Sequence, residues 1–411
     1  MKRRDFLKLA GAVSLAGCAT ATPSKARVVV IGAGFGGATA AKYIRLWDPA
    51  IDVVLVERDA GFVSCPISNL VLAGYSNMAE ISRGYDGLRR HGVTVVQDEA
   101  VGIDAAKKTV RLARGGDIAY ERLIVSPGID FMFGDIQGYE AAMQAGAALH
   151  AWKAGPQTVA LRQKLEQMRD GGVYVLSIPL APYRCPPGPY ERASMVAAYF
   201  KQAKPRSKVL VLDANPDVTS KGGLFKRAWS ELYQGIIEYR GNAKVVAVDA
   251  GSVRTEFDTV QGDVLNVVPP HRAGDIAAKA GLITTNNRWC DVDWRTMESK
   301  AVKGVHVLGD ATLSAAGMPK SGSMANNHAK IAAAAIVELL NGRSAQPVKI
   351  LNTCYSFVSQ REAIRVSSVH EWDGNALMPV KGSGGVSAAR SEAEGTFAWS
   401  WARTIWADSL A

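Results

Sequence analysis

The sequence predicts an α/β protein: two doubly wound units built on parallel strands, followed by a smaller C-terminal α+β domain. Three observations carry this. A β-branched run, Val28 to Ile31, enters the cluster Gly32-Ala33-Gly34-Phe35-Gly36-Gly37 and then an alanine-rich helix. Far downstream a second strand ends in Gly309-Asp310 and is also followed by an alanine-rich helix. Between them, residues 150–264 bring strands of their own, "GGVYVLSIP" and "SKVLVLDAN". A chain of 411 residues has room for two or three domains. With 48% apolar and 21% charged residues it has a globular composition, and it shows no repeat or low-complexity tract.

The first element reads as strand, glycine turn, helix and second strand, "IDVVLVERD", which ends in the acid Glu57. The glycines serve different ends. Gly32 makes a tight turn, Gly34 lets a pyrophosphate approach the backbone closely, and Gly37 lets helix pack tightly on strand. Phosphates would sit at the helix N-terminus, where free N–H groups and the dipole favour anions. Glu57 would accept hydrogen bonds from the adenosine ribose. Together these predict a dinucleotide site, which the glycine motif alone would not.

The downstream segments indicate which dinucleotide. "KGVHVLGDATLSAAGMPKSGSMANNHAKIAAAAIVELL" resembles the second FAD signature of the glutathione-reductase superfamily, in which the Asp holds the ribityl chain. "YERLIVSPGI", with Pro127-Gly128 at its turn, resembles that superfamily's middle motif. The resemblance implies FAD, held in part by Gly128, Gly309 and Asp310, and two Rossmann-like nucleotide-binding domains of the glutathione-reductase type. The expected boundaries are 22–149 with 265–345 for a discontinuous FAD-binding domain, 150–264 for the second unit, and 346–411 for the C-terminal domain. A cap role for Asp310 is the alternative.

In the second unit the strand Val173 to Ile178 runs into Pro179-Leu180-Ala181-Pro182 and then "YRCPPGPYERAS". Prolines remove N–H donors, and no glycine triplet allows phosphates to approach. This unit is expected to be a scaffold without NAD, so electrons must enter by another route. Cys185 is the group to consider: Arg184 beside it favours thiolate, the attacking form, and the proline turn fixes its direction. Cys354, in "LNTCYSFVS", is the second candidate. If the two meet at the flavin they form a redox-active disulfide; a purely stabilising disulfide is the alternative. Cys65, in "FVSCPISN", is either a free redox thiol or bonded to the flavin, and Cys290 is expected to be structural. No metal site is expected.

The N-terminus, "MKRRDFLKLAGAVSLAGCATATPS", reads as an export leader over residues 1–21. Arg3-Arg4-Asp5-Phe6-Leu7-Lys8 resembles a twin-arginine signal. Two cleavage sites compete: Ala19-Thr20-Ala21 satisfies the small-residue rule, while Leu15-Ala16-Gly17-Cys18 resembles a lipoprotein box that would put lipid on Cys18. The apolar run is shorter than the ~18–20 residues of a membrane span. Formal charge is +10, and about +7 without Lys2, Arg3, Arg4, Asp5 and Lys8. The basic residues are scattered rather than clustered with aromatics, which argues against nucleic-acid binding.

The segments "ATAAKYIRLWDP", "GYDGLRRHG", "HAWKAG", "CPPGPYERAS", "PPHRAG", "MPKSG" and "LNTCYS" resemble those of the flavoprotein subunit of flavocytochrome c sulfide dehydrogenase, over nearly the whole chain after the leader. The resemblance implies that Cys65 is the 8α-linked flavin cysteine and that Cys185 and Cys354 form the catalytic disulfide above the ring. It also implies hydrosulfide as substrate and a c-type cytochrome subunit as partner in a heterodimer. The sequence has no CxxCH, so haem would lie on that partner. Covalent flavin suits a periplasmic enzyme, which cannot recapture lost FAD. Glu191 would accept a proton if burial raises its pKa, or else bridge to Arg192. The tail "GTFAWSWARTIWADSLA" is read as core or flavin-lid packing, with Trp401 as a flavin neighbour. A sulfide:quinone oxidoreductase would instead use that tail toward a membrane. A non-catalytic flavin-bound carrier of sulfane sulfur is the third reading.

Overall fold

The computed structural model describes residues 25–347 and 349–411. The leader, its two cleavage sites and Cys18 lie outside the described residues. Strand β1 (Ala26–Ile31) is followed by helix α1 (Phe35–Trp47) and strand β2 (Ile51–Glu57), then β3 (Thr94–Gln97) and β4 (Arg122–Val125). β1 lies parallel between β2 and β4, with Val28 to Val30 fully buried. Both faces of the sheet are covered, so these strands are apolar throughout rather than alternating.

The second unit holds β5 (Val173–Ile178), α2 (Gly188–Ala203), β6 (Lys208–Asp213), α3 (Gly222–Leu232) and β7 (Val264–Val267). Its sheet is parallel, in the order Ala148–Leu149, β7, β5, β6, Ile237–Arg240. Ladder pairing thus draws this unit slightly wider than residues 150–264, because both 148–149 and 264–267 belong to its sheet. At the end of β6, Asp213 is fully engaged by protein. Its Oδ2 accepts from Tyr190 (2.7 Å) and Tyr239 (2.9 Å), and its Oδ1 from the Asn215 amide (2.9 Å) and side chain (2.7 Å). That is where a dinucleotide unit presents a carboxylate to ribose.

The chain then returns to the first sheet through β8 (Val305–Val307), which pairs with β4, and helix α4 (Gly322–Leu340). β9 (Lys349–Phe357) and β10 (Ala363–Trp372) form an antiparallel pair, and helix α5 (Glu392–Leu410) closes the fold. Ser391 caps α5 through the Glu394 amide (3.1 Å). The tail packs as core: Ala398, Ala402, Ile405 and Trp406 are buried. Asn326 of α4 donates to Thr39 of α1 (3.0 Å) and to Asp408 of α5 (2.8 Å), tying three helices together. Among the described residues no helix is long and apolar enough to cross a membrane.

Candidate active site

A cleft of about 710 Å³ lies where the two units and the C-terminal domain meet. The turn from β1 to α1 forms one wall. Gly32 has φ +91°, and a Cβ there would stand 2.4 Å from the Ser126 carbonyl oxygen. Gly34, the N-cap of α1, faces open space, so phosphate has room at the helix N-terminus. Gly37 is off the cleft wall; a Cβ there would meet Gly32 O at 1.8 Å, so it serves helix–strand packing. Glu57 is pinned by the Ala33 amide (2.7 Å) and the Asp59 amide (3.0 Å) at the cleft edge. Gly128 (φ +64°) and Gly309 (φ +69°) carry the other turns onto the wall. Asp310 lines the same cleft, and its buried Oδ1 has no protein partner. An orphaned acceptor beside a glycine-lined cradle fits a hydroxyl-bearing dinucleotide such as FAD, with Asp310 on its ribityl chain.

The same cleft is also lined by sulfur. Cys185 precedes α2 in a left-handed conformation (φ +58°), fixed by its amide on Lys320 O (2.8 Å) and its carbonyl on the Gly188 amide (2.9 Å). Cys354 is in the middle of β9, its Sγ 3.4 Å from Asn352 Oδ1. Both line the cleft as free thiols, and Cys354 is near enough for its charge to raise the Cys185 thiol. Burial, then Cys354 and Glu191, push the Cys185 thiol up, outweighing Arg184 and Lys221. Arg184 does act toward the thiolate, as expected, but burial outweighs it, and its guanidinium donates to the Trp152 carbonyl. Cys65 also lines the cleft, its Sγ 3.7 Å from Trp152 O. Cys290 is buried off the cleft wall, bonded through its backbone to Ala311 (3.0 Å) and Leu313 (2.7 Å), and burial pushes its thiol up to about 12.

Glu191, on α2, lines the same cleft as the two thiols. Its Oε1 accepts from the Phe357 amide (2.8 Å) and its Oε2 from Asn69 Nδ2 (2.9 Å), and burial raises its pKa. The alternative bridge to Arg192 is not made. Neighbouring side chains on a helix diverge, and Arg192 donates instead to Asn69, His150, Asn266 and Ala151. Trp401 of α5 reaches the cleft wall beside Tyr355, ring centroids 6.2 Å apart. Sequence reading missed Asn69 and Lys221. Asn69 holds Glu191 and Arg192 together, and Lys221 donates to Ser356 Oγ (2.8 Å) and Cys354 O (3.3 Å). "DVTSKGGLF" gives no periodic or motif signal that would single out this lysine.

Fold and site define a flavin-dependent oxidoreductase of the pyridine nucleotide-disulphide type. The family model for that class matches residues 26–167. Residues 158–269 match the central model of the sulfide dehydrogenase [flavocytochrome c] flavoprotein chain, and residues 346–410 match the flavocytochrome c sulphide dehydrogenase flavin-binding model. The chain is 62% identical over 45 residues to the sulfide dehydrogenase [flavocytochrome c] flavoprotein chain of Chlorobaculum thiosulfatiphilum, a match over 11% of this chain and 94% of that sequence. This chain belongs to the flavocytochrome c sulfide dehydrogenase flavoprotein family. It is also 25% identical over 300 residues to the mitochondrial sulfide:quinone oxidoreductase of Mus musculus, over 69% of this chain and 65% of that protein. The match therefore spans less than two thirds of that relative. Among solved structures, the sulfide:quinone oxidoreductase of Aquifex aeolicus shares the fold with TM-score 0.78 at 19% identity, over 93% of this chain and 91% of that one.

Proposed function

We propose that the protein oxidises hydrosulfide at the Cys185–Cys354 pair and passes the electrons through FAD to a c-type cytochrome subunit. The observation that carries this reading is the convergence of two thiols, distant in sequence, with Glu191 in the cleft that the glycine cradle also lines. When bound, FAD supplies a two-electron acceptor able to release electrons singly. The protein's own residues do the rest. Hydrosulfide attacks the pair's disulfide, so one cysteine becomes a persulfide and the other a thiolate. A second hydrosulfide takes the outer sulfur as HSS⁻ and leaves that cysteine as a thiol. Re-forming the disulfide releases one proton and two electrons, so two hydrosulfides yield HSS⁻, H⁺ and the electron pair. Glu191 takes the proton, a role suited to a carboxyl whose pKa burial has raised.

Cys65 is the proposed 8α attachment point for the flavin, haem lies on the partner, and the periplasm is the proposed location. Three measurements test the reading. Anaerobic sulfide should bleach the flavin of the holoprotein, and Cys185→Ser or Cys354→Ser should reduce bleaching to the free-flavin background. Persistence of bleaching in either variant overturns the disulfide route, and no bleaching in the intact protein favours the sulfane-sulfur carrier. Cytochrome c, not decylubiquinone, should be the acceptor; quinone reduction would favour the sulfide:quinone reading. Intact mass of the denatured protein should carry the mass of FAD and lose it in Cys65→Ser.

A further inference from the structure

Lys221 carries three energetic burdens at once. It is only 7% exposed, so its ammonium is largely desolvated. Its backbone is left-handed, φ +57°, a strained conformation for a residue with a side chain. It is also the N-cap of α3, the helix end whose dipole favours anions and opposes a cation. Its Nζ meets two neutral oxygens, Ser356 Oγ and Cys354 O, and no ion pair of Lys221 occurs among the described residues. A buried ammonium held this way is stabilised only when an anion joins it. Cys354 is the candidate, since it belongs to the strand that Lys221 already grips.

The charged and titratable groups facing Lys221 come from three directions: Cys354 on β9, Cys185 and Glu191 at the start of α2, and Glu394 on α5. Glu394 is itself paired with Arg365 at 3.4 Å. Burial pulls Lys221 down to about 8, with Cys354 the largest opposing influence. The two thiols differ in their surroundings. Burial, with a smaller contribution from Glu191, raises Cys354, but Lys221 and the Ser321 and Asn352 side chains pull against it. Cys185 has Cys354 and Glu191 adding to its burial, with Arg184 and Lys221 opposing.

We propose that Lys221 is a positioning residue that holds the Cys354 sulfur as the thiolate, so that hydrosulfide adds to Cys185 and Cys354 departs. This rests on the sulfide-oxidation reading above. In the step, the hydrosulfide sulfur bonds to Cys185 Sγ, the disulfide bond breaks, and its electron pair goes to Cys354 Sγ. The proton stays on the outer sulfur and the total charge remains −1. Lys221 touches the backbone and neighbours of Cys354, and acts through that sulfur.

The test measures alkylation of the reduced holoprotein by iodoacetamide from about pH 6 to 10, quantifying Cys354 and Cys185 separately by peptide mass. In the wild type Cys354 should react faster than Cys185 at about pH 8; the reverse order overturns the proposal without any variant. Lys221→Met should slow Cys354 about tenfold at that pH and slow Cys185 far less. Lys221→Arg, which keeps the charge, should restore the Cys354 rate. An unchanged Cys354 rate in Lys221→Met, or equal slowing of both thiols with flavin absorbance intact, overturns it. Alkylation needs no sulfide, so failure of the wild type to bleach with sulfide would sink the functional reading while leaving this measurement readable.

Discussion

Glu191 is the clearest case of a residue whose chemistry follows from its neighbours. Its two oxygens take hydrogen bonds from Phe357 and Asn69, which favour the anion, yet burial outweighs them and raises its pKa. The sign of its pH effect follows. A carboxyl raised in the folded state stabilises it below the ordinary carboxylate range, and that contribution is lost as pH rises through the raised value. The melting temperature of wild type minus Glu191→Gln should therefore shrink as pH increases through that window; a flat difference would contradict the shift. Glu191, Cys185 and Cys354 were legible in the sequence because they sit in distinctive short segments. Lys221 and Asn69 were not, because their importance arises from approach across the fold. Sequence adjacency gives the direction of Arg184's influence on Cys185, but not that burial outweighs it or that the guanidinium turns to Trp152.

At the scale of elements, two glycines of one turn separate folding from binding. A Cβ on Gly37 would press on Gly32 O, whereas one on Gly34 would enter open cleft. Gly37→Ala should lower stability by about 1–3 kcal/mol in thermal or urea unfolding, as overpacking does. Gly34→Ala should leave the melting of the flavin-free protein nearly unchanged and, in a Cys65→Ser background where no covalent bond holds the cofactor, weaken flavin retention, read by absorbance after gel filtration. β1, α1 and β2 could be read directly because their periodicity and turn chemistry are local. The seating of α5 on α1 and α4 depends on contacts between distant segments that no local pattern encodes. The same holds at the margins of the second unit, where strand pairing rather than loop composition decides what belongs.

Across the whole molecule, buried histidines set the acid limit. Burial lowers His150 to about 3, with Arg192 adding to it, and lowers His328 to about 3 and His306 to about 4. His150 and His328 each use Nδ1 to accept a backbone N–H, from Trp152 (3.0 Å) and Gly309 (3.2 Å), so protonation would break the bond. These depressed groups contribute stability that is present above the ordinary histidine value of 6.5 and lost as pH falls toward 4. Unfolding free energy should fall by up to about 4 kcal/mol per pH unit across that interval, if all three titrate together. A pH-independent denaturation midpoint there would refute it. The tie between Asp213 and its two tyrosines has a practical corollary for anyone wishing to drive this scaffold with nicotinamide. Grafting glycines after Ile178 would be insufficient, because Tyr190 and Tyr239 would also have to surrender the acid that a ribose needs.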